Sequence, residues 1–314
     1  MKAAAALPLL AALAAQAHPI HGENKATANP TGICKFDRRS VLDTLSASNP
    51  PASKRAAASA ATTWDPPSSL VTPLNEVWEH TMKTYGGDPL TFKNYGYDHI
   101  INTKGNIQYC VRWDSKKTVT AAQRAKIETA LGKMYNKWVS AALAGFDGFP
   151  YDSVNVTVSG WATNDTSLLQ GSTDGVTIHS STVDADGIPE CDPACGRAFH
   201  YADGDYSGCK GGEADRYDVS LWLSDSLDDG AGGYGGDWGQ QVGADYMLQN
   251  LDADSIHILL HEMGHTLALD DFYDWTPTGE SSFIMLAGSA MEITEFDAWM
   301  ARDWWRHIKS RFNL

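Results

Sequence analysis

The sequence predicts an α+β fold: a twisted mixed sheet backed by one long helix, a second helix bearing two histidines, and a short C-terminal part ending in a final helix. Three observations predict it. A β-rich run, "NIQYCVRWD" (106–114), precedes a helical pattern at 118–145 and an alternating run at 153–162. Strand, long helix, strand gives a parallel pair joined by a crossover. "DADSIHILLHEMGHTLAL" (252–269) then reads as an apolar helix, and "ITEFDAWMARDWWRHIKSRF" (293–312) as an amphipathic one.

The chain opens with Lys2, an apolar run from Ala3 to Ala15 and a small-x-small site, Ala15-Gln16-Ala17. This pattern predicts a secretory signal over 1–17, since the run is too short to span a bilayer. Residues 18–55 are rich in Pro, Ala, Ser and Asn and hold two dibasic pairs, Arg38-Arg39 and Lys54-Arg55. They read as a prosegment cut after Arg55. Residues 56–105 form an N-terminal extension in which "TPLNEVWEHTMKTY" predicts a helix started by Pro73. Residues 106–314 form the main domain.

In that domain Ile127, Leu131, Met134 and Trp138 recur at helical spacing, with Thr120 as N-cap and Gly145 as stop. Val154, Val156 and Val158 alternate as in a half-buried strand; 174–182 and 216–224 supply two more strands. The glycine-rich run 228–243 reads as a mobile loop, and it lacks the phosphate-binding pattern GxxxxGK[ST].

Five cysteines leave one over. Cys110, Cys191, Cys195 and Cys209 allow two bridges in three connectivities, with Cys110 expected to tie a distant strand to the 191–209 loop. Cys34 is the odd one. The carboxylates of 184–216 admit calcium, although their spacing is not that of a complete EF-hand loop. Asn155 and Asn164 head N-glycosylation triplets, in keeping with secretion.

A formal charge of −15 argues against nucleic acid and anionic membrane as partners. Removal of 1–55 takes seven basic and three acidic residues, leaving 17 and 36 and a net −19. A hydrophobic content of 43% and eleven tryptophans suffice for a sizeable core.

His261 and His265 stand one helical turn apart on one face, where two imidazoles converge on one ion. Glu262, rotated by about 100°, stands beside that ion as a general base must. The choice of third ligand lies between Asp270 and Asp271. An extended zinc site takes it ten residues after the first histidine, at Asp271, leaving Asp270 a solvated neighbour. His257, a turn earlier, reads as packing, and His179 and His200 as ordinary strand and loop residues.

These residues resemble the metzincin zinc proteases, in particular the aspartate-ligand members of the snapalysin and immune inhibitor A type. Their pattern HExxHxxGxxD followed by Tyr matches His261, Glu262, His265, Asp271 and Tyr273, and their Met-turn matches Met285. The resemblance implies a zincin-type fold, a secreted endopeptidase with one catalytic zinc, and protein or peptide substrates. Tyr273 or the zinc would stabilise the oxyanion, because no tyrosine directly follows Met285. Ala268 replaces the family's helix-ending glycine. Apart from the resemblance, since "TGICKFD" lacks the family's latency signature, the odd Cys34 is either a chance cysteine of the prosegment or a latency ligand on the fourth position of the zinc.

Two other function classes compete. One is a zinc-stabilised binding protein with a vestigial site, holding polysaccharide through exposed tryptophans. The other is copper chelation by an N-terminal His18, which Pro19 and the dibasic cuts oppose.

Overall fold

The computed structural model describes residues 32–35, 61–86, 89–225, 227 and 231–314. The signal run and both dibasic pairs lie outside them. The strands are β1 (Gly32–Lys35), β2 (Asn106–Asp114), β3 (Val119–Thr120), β4 (Asn155–Ala162), β5 (Leu169–Gln170), β6 (Thr177–His179), β7 (Val219–Ser224), β8 (Ala231–Gly236) and β9 (Gly239–Gly243). The main helices are α1 (Ser68–Thr84), α2 (Gly96–Asn102), α3 (Ala121–Trp138), α4 (Ala244–Asn250), α5 (His257–Thr266) and α6 (Glu295–Ile308).

The principal sheet has the order β1-β8-β9-β7-β2-β4-β6; β3 and β5 form a separate parallel pair. β2 is parallel to β4 and β7, β4 to β6 and β7 to β9, while β8 is antiparallel to both β9 and β1. The fold is thus mixed, with a mostly parallel sheet. The predicted crossover runs from β2 through α3 to β4. Thr120 caps α3 by accepting from the Gln123 N–H at 3.2 Å, and Gln123 answers with its side chain in a capping box. The α-helix ends earlier than the pattern suggested: a π-turn, Val139–Leu143, leads into Gly145, whose φ of +71° stops it.

α3 lies over β4, and α5 lies beside it over β8 and β9. Trp138 of α3 donates from Nε1 to the Leu260 carbonyl of α5 at 2.9 Å, which ties the two helices together. Leu74, Tyr95, Tyr97 and Ile100 of the N-terminal extension are buried in the same core as Ile127, Val111 and Leu259.

Other features also differ from the sequence reading, among them β6 and β7, which are shorter than the expected 174–182 and 216–224. α1 begins at Ser68, so Pro73 lies inside it, buried with Leu70 and Leu74. α5 begins at His257 with no side-chain cap. Asp252 and Asp254, where the sequence starts the helix, lie before it and pair with Lys126, Lys133 and Lys137 of α3. One correction is larger: 231–243 is not a mobile loop but the hairpin β8–β9. Its glycines reflect a lack of room. A β-carbon at Gly239 would overlap the Ser220 backbone, and one at Gly235 the Glu262 backbone.

Two disulfides, Cys110–Cys191 and Cys195–Cys209, select one of the three connectivities, and the first joins β2 to the loop as expected. Among the described residues no helix is long and apolar enough to cross a membrane.

Candidate metal centre

All ten residues of α5 are buried. A helix buried on every side must be covered all round, here by the sheet and α3, and its polar side chains need partners inside the protein. Its C-terminal end is fixed by a polar chain. Tyr109 donates to Gln240 Oε1 at 3.0 Å, Gln240 Nε2 to Thr266 Oγ1 at 2.7 Å, and Thr266 to the Gly236 carbonyl at 2.8 Å. β2, β8 and β9 thereby set the height of the histidine pair.

The helix stops in a Schellman motif. The Leu269 N–H bonds the Gly264 carbonyl at 3.1 Å, and the Ala268 N–H the His265 carbonyl at 2.9 Å. Ala268 sits at φ +64°, in the left-handed region that glycine favours. Alanine makes this left-handed turn with the strain accepted.

That turn brings the chain back under the helix. His265 Nδ1 lies 2.7 Å from the Leu269 carbonyl oxygen, and His261 Nδ1 lies 2.7 Å from the Ile284 carbonyl oxygen. A carbonyl only accepts, so both Nδ1 atoms donate, and in the neutral rings both Nε2 atoms carry lone pairs. Those two Nε2 atoms stand 3.2 Å apart. Asp271 Oδ1 is 3.0 Å from His261 Nε2, and its Oδ2 is 3.6 Å from His265 Nε2. Asp271 Oδ2 is buried without a hydrogen-bond partner among the described residues. Two lone pairs and a carboxylate facing one point repel each other unless a cation lies between them. The edge of a tetrahedron around an ion with 2.0–2.1 Å bonds is about 3.3 Å, which the three separations bracket. The residues fit a small tetrahedral ion.

Burial, then the neighbouring His261, lowers the His265 pKa, against the pull of Asp271 and the Leu269 carbonyl. The neutral, ligating form is thus favoured. His257 is lowered to about 4, by burial first and then by His261, and stands outside the converging set.

Glu262 is fully buried, with Oε2 3.8 Å from His265 Nε2. Its approach depends on β8. Met285 is buried beneath α5, and a β-carbon at Gly264 would overlap its sulfur. Tyr273 is 43% exposed on the segment beyond Asp271.

Asp270 departs from the expectation of a solvated neighbour. It is held by Tyr85, whose hydroxyl donates to Oδ1 at 3.1 Å, and burial pushes its pKa up to about 6. A residue the sequence reading passed over is Asp297 of α6, fully buried. Its carboxylate accepts from the N–H groups of Ile284 at 2.9 Å and Met285 at 3.2 Å while capping its own helix with Thr294. It fixes the carbonyl that orients His261, a supporting bond of the kind that fixes a ligand's tautomer. The signal was the Thr-x-x-Asp spacing at 294–297.

Elsewhere, His179 lies with Cys110 and Cys191 in a second converging group, where the two sulfurs are bridged. His200 pairs with Asp203. The 184–216 carboxylates do not converge in threes among the described residues. Asp184 pairs with Arg112, while Asp203 and Asp205 accept from the Asp205 and Ser207 N–H groups.

No known protein family, curated protein or solved structure matches this chain.

Proposed function

We propose that the protein is a secreted zinc-dependent endopeptidase, with His261, His265 and Asp271 holding the metal and Glu262 as general base. The observation that carries the proposal is the pair of Nε2 lone pairs 3.2 Å apart, closed by the Asp271 carboxylate. Zinc bound there would polarise a scissile carbonyl and bring the pKa of its water to about 7. Glu262 takes the proton of the attacking water and passes it to the leaving amine. A base in addition to the three donors supports catalysis over a purely structural metal, which needs a closed shell and no proton acceptor.

The two disulfides support action outside the cell. The alternative of a polysaccharide-binding protein rested on exposed tryptophans. None of the eleven is exposed.

The test is metal content of the purified mature protein, with cleavage of an unfolded protein before and after 1,10-phenanthroline. About one zinc per chain and chelator-sensitive cleavage support the proposal. A metal-free protein, or cleavage indifferent to the chelator, refutes it.

A further inference from the structure

The segment from Asp270 to Ser282 carries the third donor, yet it contains no helix or strand. Something outside it must hold Asp271 in place. α1, from the N-terminal extension, meets it at three successive points. The Tyr85 hydroxyl donates to Asp270 Oδ1 at 3.1 Å, and the Asp271 N–H donates to that same oxygen at 2.9 Å. The His80 and Trp275 rings are in contact, their centroids 4.5 Å apart. Glu76 accepts from both the N–H and the hydroxyl of Thr278, at 2.6 and 2.8 Å.

α1 is itself anchored. Trp78 stacks on His307 with centroids 3.7 Å apart and meets Trp304 edge-on at 5.4 Å, both on α6. α6 also carries Asp297, which accepts from the Ile284 and Met285 N–H groups and so fixes the peptide whose carbonyl faces His261. One helix thus supports the His261 side directly and the Asp271 side through α1.

We infer that Tyr85 and Glu76 are positioning residues for the metal: they hold the segment so that the Asp271 carboxylate meets the two histidines, Tyr85 acting through Asp270. This rests on the metal-binding reading of His261, His265 and Asp271. The extension is then part of the site rather than an appendage to it.

The test uses the mature chain and its zinc affinity, read by competition with a chromogenic chelator. Tyr85→Phe and Glu76→Ala should each weaken zinc binding about tenfold, the low end for a group supporting a ligand. Glu79→Ala, on the exposed side of α1, should change nothing. Because Tyr85 acts through Asp270, Tyr85→Phe should add less than twofold in an Asp270→Ala background. In the zinc-free protein, amide exchange at Asp271 should quicken in Tyr85→Phe. The inference is overturned if Asp271→Ala loses zinc while Tyr85→Phe and Glu76→Ala stay within twofold of wild type. A lowered Tm with unchanged affinity overturns it too, since that is merely structural. If the wild-type chain binds no zinc, the metal reading itself falls; unchanged Asp271 exchange in Tyr85→Phe would then show that the brace is absent as well.

Discussion

A β-carbon on Gly233 would stand 2.6 Å from Glu262 Oε1, closer than any real side chain tolerates. β8 and the proposed general base are therefore fitted to each other, and the glycine is the condition of the fit.

Two substitutions probe this pair. Glu262→Gln is predicted to retain zinc and lose at least about 10²-fold in kcat, because an amide cannot take the proton. Gly233→Ala must push the Glu262 carboxyl aside, so kcat is predicted to fall about tenfold or more with zinc content unchanged. Metal analysis alongside single-substrate kinetics checks both. Full activity in zinc-loaded Glu262→Gln would remove Glu262 as the base.

Asp271 and Asp270 differ in role. Asp271→Ala is predicted to weaken zinc binding by about 100-fold or more, since it removes a donor. Asp270→Ala should cost only about tenfold, through the lost support. Chelator competition ranks the two, and the reverse order would make Asp270 the ligand.

Ala268→Gly is predicted to stabilise the fold by up to about 1 kcal/mol. Relief of the left-handed strain is partly offset by the freer unfolded chain. Thermal unfolding reads it as a rise of about 2–4 °C for a chain of this size. A lower Tm would mean that packing around the buried methyl outweighs the strain.

The Asp218 carboxyl is pushed up to about 6 by burial, even though the Gln108 N–H and two arginines favour its anion. The folded value exceeds the unfolded 3.8, so the unfolded chain loses its proton first. The contribution is therefore full below about pH 4, declines as pH rises through about 6 and is flat beyond. Asp218→Asn, which keeps an acceptor for Gln108, is predicted to add roughly 3 kcal/mol at pH 7 and almost nothing at pH 3.5. Urea unfolding at the two pH values checks the sign, and an equal effect at both would show that ionisation is not the cause.

Cys34 pairs in register with Gly233, the residue against Glu262. A thiolate is a good zinc ligand. The uncleaved precursor is predicted to be silent, and its Cys34→Ser variant to be prematurely active. A thiol-modifying reagent should likewise activate the wild-type precursor. If both precursors stay equally silent until cleavage, Cys34 is no ligand.

Much of the site was legible because its residues lie close together in the chain. The four-residue histidine spacing and the ten-residue offset to Asp271 are properties of one helix and its stop, which local geometry dictates. The β2–α3–β4 crossover was legible for a similar reason: each element carries its own period. β8 and β9 were not. Glycine is depleted in strands unless another backbone comes close, and those backbones were α5 at Gly235 and β7 at Gly239, partners that no local pattern names. Tyr85 and Glu76 were missed because their partners are brought near by packing alone, and Asp297 because its local cap with Thr294 does not announce its bonds to Ile284 and Met285. Asp270 was misplaced because nothing in the sequence links it to Tyr85, 185 residues earlier in the chain.

β1 comes from upstream of both dibasic pairs, so its hold on β8 depends on covalent attachment. While attached, the segment sees its docking edge at an effective concentration of order millimolar. A cut after Arg55 turns the same four-residue pairing into a bimolecular one. Once the released segment is diluted far below that concentration, it leaves without any change in its own affinity. The sheet then ends at β8, with one row of backbone donors and acceptors open for an incoming extended chain.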